Sequence, residues 1–107
     1  MKAYTDIFQS RKLVEILPLE SADAHYWCKD GDDLRLGGGF SIDKDLDIPC
    51  WSTSALLEII RNNGRYELQM YEGGYYFEAN GFMTESYFNP IDACYDMIIK
   101  LHEEKLL

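Results

Sequence analysis

Between Tyr66 and Tyr87 the chain alternates apolar and polar residues and is broken twice by turn pairs, Gly73-Gly74 and Asn80-Gly81. Tyr66, Leu68 and Met70 interleave with Glu67, Gln69 and Tyr71, the two-residue period of a strand with one buried face. Gly-Gly and Asn-Gly both tolerate positive φ at the centre of a tight hairpin turn. The pattern therefore predicts a β-meander of three antiparallel strands. Pairing across Gly73-Gly74 matches Met70 with Phe77, Leu68 with Ala79 and Tyr71 with Tyr76, so that like meets like on each face. Such a curl has an apolar face that another element must cover.

Three helical patterns supply that cover. Asn89 caps a helix predicted over residues 90–105, with Pro90 at the first helical position, where its missing amide proton costs nothing. Ile91, Cys94, Ile98 and Leu101 form its apolar stripe, Asp92 and Asp96 lie early, and Lys100 and Lys105 lie late, as the helix dipole favours. Ser52 caps a second helix ending near Arg61, before Asn62-Asn63-Gly64. Trp51 and Leu56 stand at the spacing of a hydrophobic staple. A first helix is predicted from Thr5 to Leu17, capped by Thr5 or Asp6 and stopped by Pro18, with Ile7, Ser10, Val14 and Leu17 on its buried stripe. Ala24 to Cys28 reads as a strand. Asp30-Gly31 would turn it into a return strand at Leu34–Leu36, setting Trp27 against Leu34 and His25 against Leu36. The expected fold is α+β, an antiparallel three-strand β-meander packed with about three helices and extended by an N-terminal strand or hairpin. Residues 1–107 form one globular domain, with Asp30–Asp47 as a long surface loop.

Composition sets the class. At 47% apolar residues the 107-residue chain is too hydrophobic for intrinsic disorder and carries enough for one modest core. No apolar run approaches the ~18 residues of a bilayer span, and no apolar segment follows Lys2, so neither a membrane anchor nor a signal peptide is expected. The net charge of −9 is unevenly spread: the first 29 residues balance, whereas Asp30, Asp32, Asp33, Asp43, Asp45 and Asp47 crowd one stretch. A field of this sign repels phosphate backbones and anionic lipid, which excludes direct nucleic-acid and membrane-surface binding from the expected functions. Cys28, Cys50 and Cys94 are odd in number and widely spaced. They fit neither a disulfide framework nor a zinc site and read as reduced thiols in a cytoplasmic protein.

Three stretches carry a resemblance: residues 15–23 (Glu15-Ile16-Leu17-Pro18-Leu19-Glu20-Ser21-Ala22-Asp23), Ile48-Pro49-Cys50-Trp51-Ser52 with Ala55-Leu56-Leu57, and Asn89-Pro90-Ile91-Asp92-Ala93-Cys94. Together they resemble small uncharacterised proteins encoded in bacterial prophages and mobile elements. The resemblance implies a cytoplasmic, phage-linked accessory protein. Its motifs are capping and packing signals, so it transfers no functional residue.

Candidate chemistry is thin. Asp43-Lys44-Asp45-Leu46-Asp47 opens like a calcium loop, but Ile48 replaces the required Gly and Ser54 the bidentate Glu. Gly37-Gly38-Gly39 lacks the Lys-Ser or Lys-Thr of a phosphate loop and reads as flexible backbone. His25 and His102 stand apart, with no nucleophile, base and orienting group that can be named as a set. No metal, no cofactor and no enzymatic activity are expected. The aromatics are more informative. Tyr71 and Tyr76 fall on the outward face of the hairpin, where tyrosine can fill a recognition surface at little entropic cost, unless a helix covers that face too. The leading expectation is a non-enzymatic interaction module that presents an acidic, tyrosine-bearing surface to a protein partner. The alternative is an acidic nucleic-acid mimic that blocks a DNA-binding protein, which would need almost the whole net charge on one face.

Overall fold

Asp6 opens the first helix. In the computed structural model, residues 3–29, 33–38, 47–64, 66–79 and 82–107 are described. Helix α1 spans Ile7–Val14, and Asp6 and Gln9 close a capping box: the Gln9 amide donates to Asp6 Oδ1 at 2.7 Å and the Asp6 amide to Gln9 Oε1 at 3.1 Å. The helix stops three residues short of the expected Leu17: residues 15 and 16 form a turn in which the Ile16 and Leu17 amides both donate to the Leu13 carbonyl, and Pro18 disfavours helical backbone at Leu17. Ser10 and Leu17 are buried as expected, but the buried face of the helix also takes in Gln9 and Leu13 and leaves Phe8 and Val14 exposed, so it is shifted towards the Leu13 side of the expected stripe. A 3-10 turn at Leu19–Ser21 follows.

Strand β1 (Ala24–Lys29) pairs antiparallel with β2 (Asp33–Gly38) on one side and β3 (Asp47–Cys50) on the other. The β1–β2 register differs by one residue from expectation: Trp27 faces Arg35 and His25 faces Gly37, because three residues rather than two join the strands. Gly37 and Gly38, read as flexible backbone, belong to the ladder opposite His25 and Ala24. The third strand, β3, contains Pro49, which an edge position tolerates. The acidic tract 43–46 lies outside the described residues.

Helix α2 (Thr53–Asn62) starts where Ser52 Oγ accepts from the Ala55 amide at 3.2 Å. Asp23 holds that cap by accepting from the Ser52 amide at 2.9 Å and from the Ser52 hydroxyl. Trp51 and Leu56, the expected staple pair, are both fully buried in one cluster. Helix α3 (Pro90–Glu103) is capped by Asn89, whose Oδ1 accepts from the Asp92 amide at 2.9 Å. Its Asp92 Oδ1 accepts from Gln9 Nε2 at 2.7 Å, tying the starts of α1 and α3 together.

The second sheet has the order β4 (Leu68–Tyr71), β5 (Gly74–Ala79), β6 (Phe82–Met83). The third strand is much shorter than the run to Tyr87 expected of a meander. Residues 84–86 are not strand, and Tyr87 meets Tyr75 through an isolated bridge. Hairpin register also departs from expectation by two residues: Leu68 faces Phe77, Gln69 faces Tyr76 and Met70 faces Tyr75. The reason is the turn. Glu72 (φ 51°) and Gly73 (φ 79°) are its central pair, both left-handed, and Gly74 already belongs to β5. Gly74 serves close approach instead, since a Cβ there would overlap the Ser86 hydroxyl.

Helix α3 packs against α2 and β5, while α1 packs on β3. Phe77, Leu56, Ile60, Met97, Ile98 and Leu101 are fully buried in that shared core. The architecture is α+β, with three α-helices and antiparallel strands. Among the described residues no helix is long and apolar enough to cross a membrane.

Candidate functional site

A register change of two residues keeps every side chain on its face, so Tyr71 and Tyr76 remain on the same side of the hairpin. They are diagonal rather than directly opposed: Tyr76 faces Gln69 and Tyr71 faces Gly74. Tyr71 is 69% exposed, whereas Tyr76 is half-buried with its hydroxyl 3.5 Å from Gln69 Oε1.

The two rings form one wall of a groove of about 530 Å³. Met83 and the segment Thr84–Ser86 form the other. Buried Thr84 fastens that segment to β5. Its amide donates to the Phe77 carbonyl at 2.9 Å, and its Oγ1 accepts from the Phe77 amide at 2.9 Å. Beyond it, Tyr75 and Tyr87 exchange backbone hydrogen bonds of 2.7 and 2.9 Å. The Tyr87 hydroxyl donates to Asp96 Oδ2 on α3 at 3.0 Å. Burial, and then this bond to Asp96, push the Tyr87 phenol up to about 12, so it remains a donor across the physiological range. The groove thus has walls held to the core at both ends.

Its surface is apolar and acid-edged. Met83 is 64% exposed, and Tyr71 and Ser86 also border an adjoining depression of about 370 Å³ that reaches Phe88, itself 92% exposed. Glu85 lines the groove, Glu72 the depression, and exposed Glu78 pairs with Met83 in the β5–β6 ladder. Among the described residues neither lining contains a Lys or Arg. Sequence reading singled out the tyrosines and missed Met83 and Phe88. Met83 had a readable signal, since the alternation places it on the Glu85 face rather than with Phe82 and Thr84.

The other candidates are dispersed. Cys50 and Cys94 are fully buried, and burial pushes both thiols up to about 12; Asp23 adds to the rise at Cys50, and Arg61 opposes it at Cys94. A thiol held protonated is a poor nucleophile. His25 and Cys50 project to opposite faces of the first sheet, because Cys50 pairs with Ala24 and Pro49 with His25. His25 Nδ1 is buried without a hydrogen-bond partner among the described residues. His102 is exposed at the end of α3, its Nδ1 3.3 Å from the Leu107 carbonyl. Among the described residues no three His, Cys, Asp or Glu side chains gather where they could hold a metal ion. No protein-family model matches the chain, and no characterised protein or solved structure is significantly similar to it.

Proposed function

We propose that this protein is a non-enzymatic interaction module that docks a protein partner on the Tyr71–Tyr76–Met83 groove. The observation that carries the reading is the cluster of exposed large apolar side chains there, Tyr71, Met83 and neighbouring Phe88, on a wall braced by Thr84 and Tyr87. Exposed apolar groups on a rigid, acid-rimmed surface suit an apolar anchor flanked by cationic residues on the partner. The net charge of −9 favours the same partner and disfavours phosphate backbones and anionic membranes.

The mimic reading gains less support. Asp6, Asp23, Asp92 and Asp96 are engaged at helix ends or with Tyr87 and Lys100, so part of the negative charge serves the fold.

Replacing Tyr71 and Met83 together by Ser tests the proposal. Both side chains are mostly in solvent, so each change alters stability by no more than about 0.5 kcal/mol. Affinity for the partner purified with the wild-type chain falls about 30-fold or more, the scale of losing one aromatic anchor. Equal retention of the partner by the variant refutes the groove as its seat. If that partner is a DNA-binding protein held through salt-sensitive contacts, the mimic reading replaces it.

A further inference from the structure

We propose a second site, a cavity between α1, the 3-10 turn and β3 that binds a small monocarboxylate with an apolar body. The cavity measures about 410 Å³, within the range of small-molecule pockets. Val14, Leu17, Ile48 and fully buried Trp51 line it, and among the described residues Arg11 is the only charged group in the lining. It shares no lining residue with the tyrosine groove.

Two features give the site its chemistry. Val14, expected on the buried stripe of α1, is 46% exposed because it borders this cavity rather than packed side chains. The apolar wall therefore accepts a hydrocarbon body. Arg11 supplies the charge. Its neighbour Lys12 is paired with Glu15 at 3.7 Å, while Arg11 makes no ion pair among the described residues. A guanidinium fork matches a carboxylate with two parallel hydrogen bonds. One cation among apolar walls selects one negative charge, which favours a monocarboxylate over a phosphate or a dicarboxylate. The overall charge of −9 opposes an anion at long range. At physiological salt, screening over about 8 Å leaves the local Arg11 guanidinium to dominate.

Octanoate and octanol serve as probes, titrated into the full chain and followed at the Trp51 indole N–H, which donates to Ser21 Oγ at 3.0 Å. Octanoate is expected to shift this resonance saturably with sub-millimolar affinity. Arg11→Met weakens octanoate about tenfold or more and leaves octanol within about twofold, because only the carboxylate loses a charged hydrogen bond. Val14→Trp, which fills the cavity, abolishes the response to both. No saturable shift, or an octanoate affinity unchanged in Arg11→Met, overturns the proposal.

Discussion

Trp51→Ala lowers the stability of the protein by about 3–5 kcal/mol, the usual result of emptying a buried aromatic site. Trp51 is completely buried and joins three parts of the chain. Its amide donates to Thr5 Oγ1 at 3.1 Å, its carbonyl accepts from the Thr5 amide at 2.9 Å, and its indole N–H donates to Ser21 Oγ at 3.0 Å. The backbone bonds survive the substitution. The indole contact and the ring's packing do not, and the Ser21 hydroxyl still donates to the Pro18 carbonyl at 2.6 Å. Because small domains hold only about 5–15 kcal/mol in total, the variant loses a large fraction of its stability. Urea denaturation measures this directly. Phe8→Ala, at a site 80% exposed, is the control and changes stability by no more than about 0.5 kcal/mol. A loss below about 1 kcal/mol for Trp51→Ala would mean that Trp51 does not organise the α1–β3–α2 junction.

Alkaline pH produces the second large effect. Burial pushes the thiols of Cys50 and Cys94 from 9.0 up to about 12 in the folded protein. The unfolded chain releases these protons near 9, whereas the folded chain keeps them. The stabilisation is therefore fully present below pH about 9 and is lost as pH rises towards 12, by about 1.4 kcal/mol per pH unit for each thiol. Tyr87, also raised to about 12 from 10.0, acts with the same sign above pH 10. Urea midpoints are expected to be flat from neutral pH to about 8.5 and then to fall steeply. Cys94→Ala reduces that slope by one proton's share. Stability that is independent of pH between about 9 and 11 contradicts the buried, protonated thiols.

Much of this fold was legible where local chemistry and tertiary packing agree. Asn89-Pro90, Ser52 with Trp51, and Asp6, one of the two caps offered for α1, mark helix starts through local chemistry, and each occurs in the structure, whereas the Gln9 half of the Asp6 capping box was not expected. Register was less legible. Gly73-Gly74 and Asp30-Gly31 both suit a turn, yet the observed turn places left-handed backbone at Glu72 and Gly73 and uses Gly74 to admit Ser86. That second requirement comes from a segment twelve residues away, which no local pattern states. Strand β3 was hidden by Pro49, whose edge position is fixed only when β1 is already paired with β2. On α1, Ser10 is buried as its spacing predicts, through a 2.7 Å hydroxyl contact with Thr5, but Leu13 and Gln9 fill the buried face and Val14 is left beside the cavity, a choice set by tertiary packing. At the candidate site, Tyr71 and Tyr76 were placed on one face by alternation alone. The opposing wall required knowledge of how Thr84 docks on Phe77.

The role of the Tyr71–Tyr76–Met83 groove as a docking surface is tested most directly by site-specific photo-cross-linking in the expressing cell. The photoreactive residue replaces Tyr71 in one chain and Phe8 in another, both positions being strongly exposed. A single protein adduct from position 71, absent from position 8 and lost when Met83→Glu is added, is the predicted result. Equal adducts from both positions, or an adduct from position 71 that survives Met83→Glu, would contradict it.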